Sequence, residues 1–472
     1  MRQTKQFYLY FLLITAVIMI GSVSRFTSKP PVNDDHLPNH QAVLSAEHFV
    51  ALVKAVDSTE VDNLTAVVSQ NWHNSYIPAL LEVYDFASSD YTAEQIITLL
   101  EAHTGQSFGN NIPAWYQWLW NEPADVTTEY IRFKSLLYLH VDPIFEQYFS
   151  GRFAQTTIRM DEIRWGGVVQ DGIPPLRKPK MISASAADYL QDSNIVFGIE
   201  INGDARAYPK RILAWHEMFI DTIGGEEIAG VYCTLCGTVI PYKTLHHGVN
   251  YQLGTSGFLY RSNKLMYDRK TQSLWNTLTG KPVVGPLAAN DIQLEFLSVV
   301  TTTWAEWKRR HPDTTVLSPN TGHRRNYGEG VAYQRYFSTD QLLFNTPFND
   351  TRLKNKQEVL ALRFTASPKE QLAIDTDFLM RHPLYTDQIG QQKLLILMDK
   401  SGANRVYDPQ NVIFTHYDNE QSIIDSTGLL WKVDEEFLIS ETGQKLNRLP
   451  SHRAFWFGWY AAFPETRLVK LN

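Results

Sequence analysis

Four sequence patterns occur twice in the C-terminal two-thirds of the chain, and this repetition constrains the fold more than any other feature. Both sets run in the same order along the chain, which chance matches would not preserve. The pairs are Val196–Ile201 with Val359–Phe364, His216–Gly224 with His382–Gly390, Thr271-x-x-Leu-Trp275 with Thr427-x-x-Leu-Trp431, and Trp304-x-x-Trp-x4-Pro-x-Thr314 with Trp456-x-x-Trp-x4-Pro-x-Thr466. We therefore predict that the second half is a copy of the first and that the two pack as a pseudo-symmetric double β domain.

The spacing of apolar residues separates a helical region from a β region. Residues 41–165 show helical periodicity, whereas short β-branched and aromatic runs separated by Gly, Asn and Asp turns begin near Asn194. The predicted fold class is α+β, with a helical, solenoid-like domain followed by an internally duplicated, mostly antiparallel β domain. The predicted domains are a helical domain over 41–165, a first β copy over 166–345 and a second, degenerate β copy over 346–472.

The N-terminus predicts export. Arg2 and Lys5 precede an apolar run from Phe7 to Ile20, and the small residues Ser22-Val-Ser24 follow it. This is typical of a signal peptide or of a single N-terminal membrane anchor over residues 1–28, followed by a polar linker over 29–40. The remainder of the chain is predicted to be periplasmic or otherwise extracytoplasmic, with membrane contact only through this segment.

Charge and motif content exclude two classes of ligand. The net charge is −7 and no Lys/Arg-rich block occurs, so nucleic acid is not expected as a partner. The chain has no glycine-rich phosphate loop and no dinucleotide fingerprint, so a nucleotide cofactor is not expected. A protein partner that binds through the helical domain is compatible with this composition.

The chain has only two cysteines, Cys233 and Cys236, so no disulfide framework staples the fold. The repeat places Asp399 opposite Cys233 and Gly402 opposite Cys236, which indicates that the fold does not require the cysteines. A strand, a Cys-x-x-Cys-Gly turn and a returning strand resemble the knuckle of a metal site. Thioredoxin-like motifs instead place the second cysteine on a helix, which the sequence here does not predict.

A third ligand would have to come from elsewhere in the chain. His216 precedes the strand that leads to Cys233, so a hairpin could bring its imidazole beside the thiols as a ligand or as an acid/base. Its counterpart His382 equally supports a structural histidine. The turn residues His246 and His247 are further options. The predicted metal set is Cys233, Cys236 and His216 with zinc or copper. The same two cysteines are the redox candidates if they form a reversible disulfide, and an inert structural bridge between them is the third possibility.

A longer series of motifs surrounds the cysteines. It comprises Asp171-Gly-Ile-Pro-Pro-Leu176, Ala205-Arg-Ala-Tyr-Pro209, Trp215-His-Glu217, Tyr232-Cys-Thr-Leu-Cys-Gly-Thr238, Gly254-Thr-Ser-Gly257, Met266-Tyr-Asp268, Ser273-Leu-Trp275, Thr279-Gly280 and Gly285-Pro-Leu287. The series resembles the bacterial family known as domain of unknown function 3179, over roughly residues 165–472. The resemblance implies a common fold without an established activity. That family usually has Cys-Pro-Leu-Cys, where this chain has Thr234 in place of the proline.

Two functions are compatible with these features. The first is an exported protein with a metal or thiol-redox site built on Cys233 and Cys236. The second is a non-catalytic extracytoplasmic module that binds a protein or a glycan, with the cysteines as a small structural bridge.

Overall fold

The computed structural model of the protein describes residues 43–151 and 155–471. The predicted signal or anchor segment and the linker after it lie outside the described residues. The chain divides into two compact units, the first holding the described residues up to 151 together with 159–161, and the second holding 155–158 and 162–471. Within the described ranges, no helix has both the length and the apolar character needed to cross a bilayer.

The first unit is helical, as predicted. Its three longest helices begin at polar caps, because a side-chain oxygen satisfies a backbone N–H that the first turn leaves free. Asp57, Ser89 and Thr127 accept from the backbone N–H groups of Glu60, Thr92 and Tyr130 in this way. The α-helices are α1 Ala46–Lys54, α2 Ser58–Gln70, α3 Ile77–Phe86, α4 Asp90–Thr104, α5 Ile112–Asn121, α6 Thr128–Leu139 and α7 Glu146–Phe149, with 3-10 turns at Asn74–Tyr76 and Pro143–Phe145. A solenoid-like arrangement of these helices stays a prediction.

The second unit is mostly β. The strands up to the middle of the unit are β1 Ile163–Trp165, β2 Leu176–Arg177, β3 Met181–Ser183, β4 Ile195–Ile201, β5 Asp204–Pro209, β6 Met218–Ile223, β7 Glu226–Cys233, β8 Thr238–Lys243, β9 Leu245–His246, β10 Val249–Asn250, β11 Leu253–Tyr260, β12 Asn263–Asp268, β13 Leu274–Asn276, β14 Lys281–Val284, β15 Val300–Thr303 and β16 Thr315–Leu317. The helices among them are α8 Lys210–Leu213 and α9 Trp304–Arg310.

After β16 a largely irregular stretch, residues 318–357, precedes the next strand, and we call it the connecting segment. It contains the short helix α10, Gln334–Phe337. The later strands are β17 Glu358–Arg363, β18 Gln371–Asp375, β19 Leu384–Ile389, β20 Gln392–Met398, β21 Asn404–Tyr407, β22 Phe414–Tyr417, β23 Ser422–Asp425, β24 Leu430–Val433, β25 Phe437–Ser440, β26 Lys445–Asn447, β27 His452–Phe455 and β28 Arg467–Val469, with helices α11 Thr376–Arg381 and α12 Trp456–Ala462.

Strand pairing in the second unit is predominantly antiparallel, as predicted. Among the described strand pairs, β2 with β6, β5 with β16 and β18 with β28 are parallel. Two sheets share one arrangement, in the orders β15-β4-β5-β16 and β27-β17-β18-β28, the first extended by β3. In both, the last strand runs parallel to its neighbour and the other pairs are antiparallel.

The recurring tryptophans make matching contacts in the two halves. Trp307 Nε1 donates to Thr314 Oγ1 at 2.9 Å, and Trp459 Nε1 donates to Thr466 Oγ1 at 3.0 Å. Likewise the buried indoles of Trp275 and Trp431 donate to the carboxylates that end β12 and β23, at 3.2 and 2.9 Å. These side chains belong to the core, as the sequence indicated, and they fix the last helix and the later hairpins of each half.

Candidate functional site

The cysteines lie in the turn between β7 and β8. Cys233 is the last residue of β7, and the turn is closed by a hydrogen bond from Cys236 N to Cys233 O at 3.1 Å. Gly237 follows with φ +60°, and a Cβ there would lie 2.9 Å from the ring of Phe455. A glycine is therefore required at this place both by the backbone conformation and by the close approach of the second half.

The two sulfur atoms are 2.8 Å apart and are not bonded to each other. Both are removed from solvent, since Cys233 is 2% exposed and Cys236 is fully buried. A disulfide requires a sulfur separation of about 2.0 Å. The thiols could therefore form this bond with a small local movement of the turn.

The arrangement of acceptors distinguishes the two thiols. Cys236 Sγ lies 3.3 Å from the carbonyl oxygen of Ser262, to which its S–H can donate. When Cys233 is a thiolate, the same S–H can turn to its sulfur instead. With both thiols protonated, Cys233 donates to Cys236 Sγ and Cys236 donates to Ser262 O, so Cys236 is the donor in the pair only when Cys233 is a thiolate.

A buried ion pair supports the thiolate. Lys264 Nζ donates to the carbonyl oxygens of Glu217, at 2.7 Å, and Tyr232, at 3.1 Å, and lies 3.4 Å from Glu217 Oε2. Both charged side chains are more than nine-tenths buried. Glu217 has a left-handed backbone conformation, φ +55°, and its Oε1 accepts a hydrogen bond from the hydroxyl of Tyr333 at 3.2 Å. A strained residue in a fully bonded buried cluster is a feature of functional sites.

The pKa values of the two thiols shift in opposite directions. Burial raises the pKa of Cys233, but the hydrogen bond from Cys236 and the backbone N–H and charge of Lys264 outweigh burial and the repulsion from Glu217, so the net pKa lies below its ordinary value. Burial raises the pKa of the Cys236 thiol, and the neighbouring Cys233 raises it further. Cys233 is therefore the more nucleophilic of the two sulfurs at neutral pH.

Apolar and aromatic side chains from both halves and from the connecting segment surround the thiols. The hydroxyl of Tyr336 donates to the carbonyl oxygen of Leu235 at 2.7 Å, which fixes α10 over the turn. Tyr232 Oη and Thr234 Oγ1 are buried close to the pair and have no hydrogen-bond partner among the described residues. The side chains of the enclosure are Leu235, Leu259, Tyr336, Phe455 and Phe457, with Tyr333, Phe337, Leu342 and Phe344 packed against them.

Both ring nitrogens of His216, the predicted third ligand, are within hydrogen-bonding distance of groups other than the thiols. Nδ1 lies 2.9 Å from the carbonyl oxygen of Pro174 and Nε2 lies 2.5 Å from the hydroxyl of Tyr327. Burial lowers the pKa of His216 to about 4. The imidazole is therefore neutral at pH 7, with Nδ1–H donating to the carbonyl and Nε2 accepting from Tyr327.

The predicted metal set is not assembled. Throughout residues 43–151 and 155–471, no three His, Cys, Asp or Glu side chains form a group that could hold a metal ion. Cys233, Cys236 and His216 form no such group in this structure, in which the imidazole is bonded to Pro174 and Tyr327, and their role as metal ligands stays a prediction. The rings of His246 and His247 meet edge to face at the β9–β10 turn, with centroids 4.2 Å apart, and also belong to no such group among the described residues.

Lys264 was missed by the sequence reasoning. A lysine within the run Asn263-Lys-Leu-Met-Tyr-Asp268, in which every residue is buried, is the signal that could have identified it, since lysine is almost never fully buried unless it is paired. Tyr333 and Tyr336 carry no comparable signal, because they lie in an irregular segment whose position the local sequence does not determine.

A sequence model of the family described as "Protein of unknown function (DUF3179)" matches residues 170–466. The match covers more than half of the 472 residues. Neither the curated proteins nor the solved structures give a significant match to the chain.

Proposed function

We propose that this chain, which belongs to the family of proteins of unknown function DUF3179, is a thiol–disulfide redox protein that acts outside the cytoplasm. Cys233 is the attacking cysteine and Cys236 the resolving one. The observation that carries the proposal is a pair of free, buried thiols 2.8 Å apart whose pKa values are shifted in opposite directions. The apolar N-terminal run supports export.

The proposed reaction exchanges two electrons with a disulfide of a partner protein or small thiol compound. The Cys233 thiolate attacks one sulfur of that disulfide, which releases one partner thiolate and forms a mixed disulfide. Cys236 then loses its proton and attacks Cys233 Sγ, so that the Cys233–Cys236 disulfide forms and the second partner thiolate leaves. The two cysteines are oxidised, the partner disulfide is reduced to two thiols, and the reverse sequence oxidises a partner dithiol.

The surroundings of the pair support an exchange that is gated by the connecting segment. Because Cys233 is 2% exposed, a partner can reach it only after part of the enclosure moves. Three tyrosine hydroxyls tie this segment to the first half, through His216, Glu217 and the carbonyl of Leu235. Breaking a few such bonds costs far less than global unfolding, so local opening is the expected route to the thiols.

We also infer that the two halves of the second unit arose by duplication and that one half kept or acquired the chemistry. The common strand order, the paired tryptophan contacts and the shared sequence motifs support this inference. The helical unit is our candidate surface for a protein partner.

The alternatives are a metal centre of zinc or copper and a non-catalytic module with a structural bridge. The experiment uses the full chain purified under reducing conditions, with elemental analysis and timed alkylation by iodoacetamide at pH 7, followed by peptide mapping. We expect no stoichiometric metal and modification of Cys233 well before Cys236, by about tenfold or more because of the difference in thiolate content. Stoichiometric zinc or copper, or equal and very slow modification of both thiols in the folded protein, would contradict the redox proposal.

A further inference from the structure

A second polar site lies where β17 of the second half meets the first half. Arg363 ends β17 and is 6% exposed. Its guanidinium stacks on the ring of Phe296 at 4.2 Å, and Nη2 lies 3.4 Å from the hydroxyl of Tyr242. Nε of Arg363 has no hydrogen-bond partner among the described residues.

Arg363 differs from the other deeply buried arginines of this unit. Arg405 is bonded to Asp399 and Glu435 at 2.7 and 2.6 Å, and Arg448 is bonded to Glu435 at 2.8 Å. In the part of the chain that the structure describes, no carboxylate lies within ion-pair distance of Arg363; its contacts are an aromatic face and a long hydroxyl contact. A guanidinium cannot lose its charge in a protein, and a buried charge without an opposite charge is costly.

The position that corresponds to Arg363 in the first half also carries an ionisable side chain, and there that side chain has a partner. The repeat aligns Arg363 with Glu200, in β4. Glu200 Oε2 lies 3.3 Å from His311 Nδ1, so an opposite charge is available to it when the imidazole is protonated. Glu200 therefore has a basic side chain beside it, whereas Arg363 has no acidic side chain beside it among the described residues.

His452 supplies a second group beside Arg363. Ala361 pairs directly with His452 in the sheet, and Arg363 is two residues further on the same face of β17, so the two side chains are diagonal neighbours. Nδ1 of His452 lies 3.1 Å from the backbone carbonyl oxygen of Arg453, which can only accept, so Nδ1 carries the proton of the neutral ring. Nε2 is then an acceptor, and it is buried without a partner among the described residues.

We propose that Arg363 and His452 form a binding site for a small monovalent anion at the junction of the two halves. The anion accepts from the guanidinium Nε–H and neutralises the buried charge. An oxyanion that keeps one hydroxyl, as hydrogencarbonate does, also donates to Nε2 of His452. Nitrate has the same charge and a similar planar shape but has no hydroxyl, so it satisfies the arginine alone and binds more weakly.

Thermal unfolding of the full chain with hydrogencarbonate or nitrate, at constant ionic strength and pH 8, tests this site. For the wild type we expect hydrogencarbonate to raise the unfolding midpoint by about 2 °C at saturation and nitrate to raise it less. Arg363→Gln should lose both responses, which separates site binding from general salt effects. The matched control is Arg309→Gln, because Arg309 is largely exposed and bonds only to Glu306 on its own helix; this variant should keep the wild-type response.

A second measurement does not depend on whether Arg363→Gln folds. Wild-type crystals soaked in sodium bromide should show an anomalous peak within hydrogen-bonding distance of the Arg363 guanidinium. Equal wild-type midpoints with hydrogencarbonate, with nitrate and with neither at the same ionic strength, together with no bromide peak at this place, would mean that ordered water satisfies these groups, and would overturn the proposal. Equal responses to hydrogencarbonate and nitrate would overturn the part assigned to His452. Neither result bears on the cysteine pair, which lies in the turn between β7 and β8.

Discussion

The turn that follows the second strand of the central hairpin differs between the two halves. In the second half it begins at Asp399, and in the first it begins at Cys233. A hydrogen bond closes each turn over the same spacing, from Gly402 N to Asp399 O at 2.8 Å and from Cys236 N to Cys233 O at 3.1 Å. The two turns therefore share their backbone hydrogen bond, whereas their side chains differ.

In the second half the side chain of Asp399 stabilises its own turn. Oδ1 accepts from the backbone and hydroxyl of Ser401, at 2.9 and 2.6 Å, and Oδ2 accepts from Arg405 at 2.7 Å. Cys233 provides no such acceptor to its turn, and its sulfur faces Cys236 and Lys264. A thiol of the cysteine pair thus stands in the first half where the second half has a structural carboxylate, which supports a chemical role for the pair.

Serine substitution of the cysteines should have the largest effect on chemistry and a small effect on folding. Cys233→Ser removes the attacking sulfur, so all reaction with disulfides should be lost, whereas Cys236→Ser should accumulate a mixed disulfide at Cys233 because nothing resolves it. Intact-mass measurement after incubation with oxidised glutathione distinguishes these outcomes. Denaturant unfolding of both variants provides the control, and a loss of stability above about 2 kcal/mol would instead indicate a structural pair.

Asp399→Ala should have a large effect on folding and a small effect on the reactivity of the thiols. The substitution removes a buried partner of Arg405 and three local hydrogen bonds, so the free energy of unfolding should fall by about 3 kcal/mol. Denaturant unfolding measures this loss, and the alkylation rate of Cys233 in the folded protein should remain within about twofold of the wild type. A stable Asp399→Ala variant would show that the two turns are equally tolerant and would weaken the contrast between the halves.

Tyr336→Phe should accelerate access to the thiols. The hydroxyl that fixes α10 to Leu235 O is lost, and one hydrogen bond is worth about 1 kcal/mol, so the local opening equilibrium and the alkylation rate of Cys233 should rise about fivefold. Tyr407→Phe is the matched control, since its hydroxyl also bonds a backbone carbonyl, that of Asp434, but in the second half. An equal acceleration by both variants would indicate global loosening and not a local cover.

The buried His216 should make the stability of the fold depend on pH. His216 is fully buried and neutral, with its pKa lowered by burial to about 4, whereas His382 is exposed and bonds the carbonyl of Phe378 in its own helix. Between about pH 6.5 and 4 the unfolded chain binds a proton at His216 that the folded chain does not. The stabilisation is therefore complete above about pH 6.5 and is lost as the pH falls, by about 1 kcal/mol per pH unit.

Denaturant unfolding at pH 7 and 5.5 measures this effect. His216→Gln, which keeps an acceptor for Tyr327, should lose about 1 kcal/mol less stability over this interval than the wild type. His382→Gln, which changes an exposed histidine, is the control variant. Parallel curves for all three proteins would show that His216 does not carry a low pKa in the folded state.

Periodicity and repetition predicted the parts of the fold that depend on local sequence. The helical region, the antiparallel strands and the turn at Cys233 follow from apolar spacing and from turn residues such as Gly237, which the backbone requires. The same reasoning placed the tryptophans in the core. The tryptophans make equivalent contacts in the two halves, which agrees with the recurrence of the motifs that contain them.

The composition of the site could not be predicted in the same way. Lys264 reaches the thiols from a neighbouring sheet, and Phe455 and Tyr336 come from segments far along the chain, so their positions depend on tertiary packing. The expectation that His216 would join the thiols rested on its closeness in sequence. In the structure the imidazole is bonded instead to Tyr327 of the connecting segment, a long-range contact that local patterns do not encode.

The most direct test of the central claim is a redox titration of the full chain in glutathione buffers of graded ratio. The fraction of Cys233–Cys236 disulfide would be read by mass after acid quenching and alkylation, and the fold would be followed in parallel by near-UV circular dichroism. Our account predicts one reversible two-electron transition that reaches full oxidation while the folded signal is kept. Thiols that stay reduced across the whole series, or that oxidise only as the protein unfolds, would contradict it.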